Sequence, residues 1–210
     1  NHPGKAKAAF ATLFKAIVKC WKLFLYLVVL MALMNAASHG TQDMYPTFLQ
    51  RDWGMTPRLR GALNAVSAIG AIIGGVAFGY LSDRIGRRRS IVLALFLAVC
   101  AIPLWAFAPT LGLLVTGAFL MQFMVQGAWG VIPVHITELV PDSVRGFLPG
   151  FAYQCGVLIA GSVVVIESTL SSHMSWATAM AGTALTVFVL AAVVATLGRE
   201  RHRVEFGATP

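Results

Sequence analysis

The sequence predicts an all-α integral membrane protein with six transmembrane helices, and three observations predict it. Of the 210 residues, 58% are hydrophobic and only 11% are charged, against roughly 25% charged residues in soluble domains. The mean hydropathy is +0.76. Apolar segments recur at roughly 20–50, 58–82, 90–108, 112–136, 145–169 and 174–197, each near or above the roughly 20 residues a helix needs to cross the hydrocarbon core. Runs such as SIVLALFLAVCAIPLWAFA do not alternate, which argues against a closed β-barrel built from strands of about ten alternating residues.

Before the first helix, NHPGKAKAAFATLFKAIVKCWK spreads its lysines along an amphipathic stretch without a small-residue cleavage site, unlike a signal peptide. The chain begins with Asn1 rather than Met, which predicts a processed piece or a fragment whose start lies upstream. Residues 1–19 read as a lead-in, 20–198 as the six-helix unit and 199–210 as a charged tail that frays.

The net charge of +8 does not indicate a nucleic-acid partner, because of where the charges lie. With six spans, the termini and alternate loops share one side. That side carries Lys5, Lys7, Lys15, Lys19, Lys22, Arg84, Arg87, Arg88, Arg89, Arg145, Arg199, Arg201 and Arg203, 13 of the 16 basic residues; the other carries Arg51, Arg58 and Arg60. The positive-inside rule therefore predicts that both termini are cytoplasmic, and the expected location is the plasma (inner) membrane, as a multi-pass protein. Cys20, Cys100 and Cys155 fall within or at the edge of apolar helices, as small core residues rather than a disulfide framework.

The first helix carries MNAASHGTQDMYPTFLQ, in which six of the nine residues from Asn35 to Asp43 are polar. Asn35, His39 and Asp43 are spaced by four and line one face, flanked by Gln42 and Thr47. Ionisable residues at such depth cost roughly 2.5–3.5 kcal/mol each and usually face a water-filled pathway. An interhelical hydrogen-bond cluster is the competing account. Pro46 predicts a kink beside the stripe, freeing the carbonyl of Gln42.

The second helix reads as ending at Gly79, followed by a loop with Asp83 at the membrane edge and Arg84, Arg87, Arg88 and Arg89 at the cytoplasmic face. Pairs of glycines four apart, Gly70 with Gly74, Gly75 with Gly79 and Gly146 with Gly150, predict close backbone approaches. On the fourth helix, Gln122 and Gln126 either line the same cavity as the stripe or hydrogen-bond between helices. At its cytoplasmic end Glu138 precedes Arg145 by seven residues and predicts an ion pair with Arg87, Arg88 or Arg89; His135 reads as interfacial. Tyr153 and Gln154 interrupt the fifth helix, and an amide there suits either packing or a releasable carboxylate or hydroxyl ligand. Glu167 reads as a snorkelling residue near the outer end of that helix. The loops are too short for a soluble domain, so any function lies among the helices.

The run GYLSDRIGRRR resembles the signature loop of the major facilitator superfamily, found between the second and third helix of each six-helix half. That resemblance implies that the six helices form one half, a 3+3 inverted repeat, of a twelve-helix fold, here the C-terminal half, with the N-terminal half as its partner. It further implies that Gly79, Asp83, Arg84, Arg87, Arg88, Glu138 and Arg145 form a cytoplasmic gate, the last two resembling the E-then-R loop of sugar-type facilitators.

Asn35, Ser38, His39, Thr41, Gln42, Asp43 and Thr47 fit the pattern N-x-x-S/T-H-x-S/T-Q-D-x-x-x-T, which resembles the motif of proton-coupled carboxylate permeases, a branch close to the sialate symporters. Tyr153, Gln154 and Gly156 resemble a Tyr-Gln-x-Gly segment of the same permeases. The resemblance implies proton symport of a small monocarboxylate such as lactate or pyruvate by alternating access. Asn35, Ser38, His39, Gln42, Asp43, Tyr153 and Gln154 would bind substrate, and His39 and Asp43 would handle the proton. The cargo is then an organic-acid anion plus a proton, with the proton gradient in place of a cofactor. A sialate or other organic-acid symporter is the alternative, although a larger hydroxylated cargo would demand more polar lining than these residues supply. A non-transporting six-helix module is the second alternative. Neither a metal-ligand spacing among His2, His39, His135, His173 and His202, nor a nucleophile with its base, nor a Walker-type motif is present, so the sequence predicts no enzyme and no ATP drive.

Overall fold

The structure is a computed structural model and describes residues 18–200. Most of the lead-in and tail, including Lys5, Lys7, Lys15, Arg201, Arg203, His2 and His202, lies outside the described residues. Among those described, regular structure is entirely helical, and six helical segments are long and apolar enough to cross a membrane.

The first span consists of α1 (Trp21–Gln42) and α2 (Tyr45–Arg51). Where the sequence predicts a kinked helix, the chain instead ends one helix and begins another across Asp43 and Met44. Pro46 sits in the first turn of α2, where its missing N–H sacrifices no helical hydrogen bond.

The second span, α3 (Pro57–Ile85), starts on a capped turn: the Leu59 N–H donates to Thr56 Oγ1 at 3.4 Å, and Pro57 presets the backbone. It continues through Gly79 and Asp83, beyond its predicted end. It stops at Gly86, whose φ of +98° favours glycine, and α4 (Arg87–Ala106) starts on the next residue. The expected basic loop is thus a single glycine between two helices, since arginines can stay helical while their long side chains reach the interface.

The fourth span is α5 (Leu111–Leu139), capped by Thr110, whose Oγ1 accepts from the Leu113 N–H at 3.4 Å. A 3-10 turn, Asp142–Val144, leads to the fifth span, formed by α6 (Leu148–Ala160) and α7 (Ser162–Leu170) with an interruption at Gly161. The sixth, α8 (Trp176–Leu197), is capped by Ser175 Oγ, which accepts from the Thr178 N–H at 3.2 Å.

The packing obeys an internal exchange of spans one, two and three with four, five and six. The second span packs along the fourth as the fifth packs along the first. The third packs on the fourth as the sixth packs on the first, and the third and sixth meet each other. The second and fifth spans, which this exchange relates, are also the two least buried. Such a pattern is that of a 3+3 repeat.

Close approach by small residues occurs where α3 crosses α5. A Cβ on Gly70 or Gly74 would overlap the backbone carbonyls of Phe119 and Phe123. At Gly79, Gly146 and Gly150 the expected close approach is absent among the described residues, because a Cβ there would meet none of their atoms within 4 Å. Gly79 itself is only half-buried, with the exposed Val76 and Tyr80 nearby on α3. The cysteines likewise depart from the core placement expected of them: Cys100 is exposed, and Cys20 and Cys155 are only half-buried. A thiol is apolar enough to sit on an outward face of a span.

Candidate functional site

A cavity of about 540 Å³ opens between the first four spans, in the half of the bundle opposite Arg84–Arg89. That volume falls within the roughly 300–1,000 Å³ of small-molecule sites. The first span contributes Thr41, Gln42 and Tyr45, α3 contributes Asn64 and Ser67, and α4 contributes Trp105. Gln122 and Gln126 complete the polar lining from α5, and no Lys or Arg is among the described lining residues. The wall therefore offers amide and hydroxyl groups, which donate to an anion without fixing a charge beside it.

Both readings of the two glutamines hold. Gln122 Nε2 donates to Thr41 Oγ1 at 3.2 Å, and Gln126 Nε2 donates to Ser38 Oγ at 3.0 Å, so each lines the cavity and ties α5 to α1. Trp129 Nε1 adds a third tie, to the Met34 carbonyl at 3.2 Å. Gln42 Nε2 also donates to Ser38 Oγ, at 2.8 Å.

The polar stripe divides by direction. Each step of four residues rotates a helix about 40° beyond a full turn, so a stripe spaced by four drifts around the axis. Asn35 points into the bundle, 2% exposed, with Nδ2 donating to the Met31 carbonyl at 2.8 Å. His39 and Asp43 stand at the bundle's edge, with Nδ1 3.0 Å from Oδ2 and side chains 45% and 43% exposed.

Of the residues expected to bind substrate, Gln42 lines the cavity and Ser38 holds two of its amides; Asn35, His39 and Asp43 are not among the lining groups. Tyr153 and Gln154 lie exposed on α6, outside the lining, with the Tyr153 ring edge-on to Trp129 at 6.1 Å. Sequence reasoning missed Tyr45, Asn64, Ser67 and Trp105. Asn64 and Ser67, three apart on an apolar helix, were the available signal. With them the wall is more polar than the expectation against a hydroxylated cargo allowed.

At the opposite end Arg87 organises the basic run. Its guanidinium lies 2.6 Å from Asp83 Oδ1 and 3.4 Å from Glu138 Oε1, and donates to Ser82 Oγ at 2.6 Å. Arg88 faces Glu200, with Nε 3.7 Å from Oε2, and donates to the carbonyls of Thr196 and Gly198 at 3.1 Å each. The second, third, fourth and sixth spans are thereby joined. Arg84 binds the Tyr80 hydroxyl and stacks on its ring at 4.7 Å. Arg145 pairs with Asp142 and donates to the carbonyls of Thr137 and Val140 at 3.2 and 3.1 Å, closing the end of α5. Gly79 makes no contact that a Cβ would disturb.

Two further expectations are overturned by burial. His135 is not interfacial: it is 0% exposed, on the inward face of α5, with both ring nitrogens unpartnered. Glu167 does not snorkel, being 0% exposed with both carboxylate oxygens unpartnered.

Comparison with known proteins fixes the class. Residues 10–209 match the Major Facilitator Superfamily, and the chain belongs to that family. Its relatives include the "Carboxylic acid transporter protein homolog" of Saccharomyces cerevisiae, 33% identical over 168 residues, covering 80% of this chain and 27% of that protein. The "Niacin transporter NiaP" of Acinetobacter baylyi is 31% identical over 156 residues, covering 72% of this chain and 35% of that protein. "Putative polyol transporter 2" of Arabidopsis thaliana is 36% identical over 121 residues, covering 56% and 23%. The chain thus spans about a quarter to a third of these relatives. In fold it resembles a double-Trp mutant of XylE, with a TM-score of 0.68, 20% identity and coverage of 87% of this chain and 45% of that one. It also resembles the POT family transporter PepTSo, with a TM-score of 0.69, 18% identity and coverage of 84% and 37%. The six helices are therefore a major facilitator unit, of a transporter family rather than an enzyme family.

Proposed function

We propose that this chain is the C-terminal half of a proton-coupled symporter of small monocarboxylates, working with an N-terminal six-helix half in the plasma membrane with both termini cytoplasmic. The observation that carries the reading is the His39–Asp43 pair at 3.0 Å, at the break between α1 and α2 and one residue from the cavity-lining Gln42. Ion and substrate sites of secondary transporters gather at such discontinuous helices. An imidazole that takes up a proton becomes a cation, so a proton carried by His39 would draw an anion toward the amides. Carrying anion and proton together removes a membrane-potential cost of about 2.3 kcal/mol per charge per 100 mV. The carboxylic-acid name of the yeast relative supports the substrate class.

A second reading is a sialate or other hydroxylated cargo, and the amide and hydroxyl lining from Asn64, Ser67 and Gln122 favours it. Uptake of radiolabelled lactate and sialic acid by cells expressing the full-length protein, at acidic and neutral external pH, separates them. Lactate uptake that rises with acid is the expected result. Uptake of sialic acid alone moves the substrate to the second reading, and uptake of neither removes both.

A further inference from the structure

A second concavity, of about 420 Å³, follows the seam between the third and sixth spans at the basic end of the bundle. Arg88, Arg89, Val92, Leu93 and Phe96 line it from α4 and Thr196 from α8, and it shares no lining residue with the cavity described above. Its chemistry is graded along the helix. The arginines stand in the first turn of α4, and the groups one and two turns further in are apolar. Arg89, Leu93 and Phe96 are spaced by four and three, so they share one face. From Arg89 to Phe96 the helix rises about 10 Å, against about 15 Å for the hydrocarbon of one leaflet.

The apolar part of this groove is open. Leu93 and Phe96 are 38% and 61% exposed, and Val193 and Leu197 of α8 are exposed as well. The surface left for a partner half is that of the second and fifth spans, the two least buried, whereas the groove belongs to the third and sixth.

The charged part carries an excess of cation. Glu200 is the described carboxylate that faces it, and this group is largely committed: Oε1 accepts from the backbone N–H of Arg87 at 2.8 Å and of Arg88 at 3.4 Å, at the start of α4. Its Oε2 lies 3.7 Å from Arg88 Nε, beyond hydrogen-bond reach. Arg88 Nη1 donates to the carbonyls of Thr196 and Gly198, and none of these contacts uses Nη2. Arg89 is exposed and has neither an ion pair nor a hydrogen bond among the described residues. Two guanidinium groups therefore meet one carboxylate at the mouth of an apolar groove.

We propose that this groove binds an anionic glycerophospholipid, with the phosphate held by Arg88 and Arg89 and an acyl chain lying over Val92, Leu93 and Phe96. A planar guanidinium matches phosphate oxygens in pairs, and basic pockets between membrane helices on the cytoplasmic side suit anionic headgroups. The apolar floor distinguishes a lipid from a free phosphate, which would leave Leu93 and Phe96 uncovered. A bound lipid would bridge the third and sixth spans beside the contacts of Arg88 with the end of α8. The inference rests on the orientation proposed above, with the basic end at the cytoplasmic leaflet, and is independent of the cargo.

Native mass spectrometry of the purified full-length protein, titrated with palmitoyl-oleoyl phosphatidylglycerol or with phosphatidylcholine of the same chains, tests it. The wild type is expected to retain phosphatidylglycerol in preference, and Arg89→Gln to bind it about fivefold more weakly. Equal retention of the two lipids by the wild type overturns the proposal. Arg84→Gln, at the same end but on the second span, is expected to leave retention unchanged; an equal loss there shows a diffuse surface-charge effect and overturns the site. Phe96→Ala tests the apolar floor: weaker retention is expected, and complete displacement of the lipid by inorganic phosphate overturns the choice of a lipid. Thermal melting gives a second readout, since a ligand of the folded state raises the melting temperature. Phosphatidylglycerol is expected to raise it in the wild type and less in Arg89→Gln, and an equal rise in both overturns the role of Arg89. Neither readout involves transport, so a failed symport reading leaves this site standing, and a failed lipid site leaves the symport reading standing.

Discussion

Arg87 Nη2 lies 3.4 Å from Glu138 Oε1, and this pair closes the basic end of the bundle with side chains only 11% and 5% exposed. The second Glu138 oxygen has no partner, so Arg87 is the cation on which that buried carboxylate depends. Removing one member of a buried pair costs about 3–5 kcal/mol, whereas replacing both by apolar groups is often neutral. Arg87→Met is therefore expected to lower the detergent-solubilised melting temperature sharply, and Arg87→Met with Glu138→Leu to recover most of the loss. A single variant as stable as the wild type would show that the pair does not hold the spans together.

His39→Ala is expected to abolish the stimulation of uptake by external acid, and Asp43→Asn to weaken it, because each breaks the 3.0 Å pair from one side. Uptake is measured at matched surface expression over a range of external pH. Retention of acid-driven uptake at the full rate in His39→Ala would remove this histidine from proton handling.

Asn64→Leu and Gln122→Leu each withdraw an amide from the cavity wall. A hydrogen bond to a charged partner contributes about 1.5–3 kcal/mol, so KM for the anion is expected to rise roughly tenfold or more. Gln122→Leu has a second effect, because it also leaves Thr41 Oγ1 without its donor from α5. Unchanged KM in both would place the substrate outside this cavity. Gln154→Leu is the paired comparison, since Gln154 lies exposed on α6 and outside the lining.

Gly74 and Gly79 share a helix and differ in their surroundings. A Cβ on Gly74 would overlap the Phe123 backbone, and overpacking of this kind costs about 1–3 kcal/mol. A Cβ on Gly79 meets nothing within 4 Å, and Ala is favoured over Gly within a helix by up to about 1 kcal/mol. Gly74→Ala is expected to lower the melting temperature and Gly79→Ala to leave it unchanged or raised. If Gly79→Ala nonetheless halts transport, the contact it disturbs lies with a surface outside this chain.

Much of the molecule was legible from the chain alone, because the bilayer imposes length and hydropathy on every span. The six spans, the basic end and the polar stripe of the first helix follow from apolar run length, charge distribution and helical spacing. The disturbance at Pro46 was also readable, though a proline in a first turn begins a helix where one in mid-helix bends it, and only the path of the chain decided between them. Hydropathy cannot tell which apolar face meets protein and which faces outward, since lipid is as apolar as leucine. For that reason the sequence placed Glu167 and His135 at an interface when both are fully buried, and placed Gly79 in a close contact that none of the described residues makes. Spacing put Asn35, His39 and Asp43 on one stripe, but the drift of the helix and the approach of α5 turned Asn35 into the bundle and left the other two at its edge. Only the tertiary structure gathered Gln42, Asn64, Ser67, Gln122 and Gln126 around one cavity, because they come from three helices whose mutual rotation no single periodicity contains.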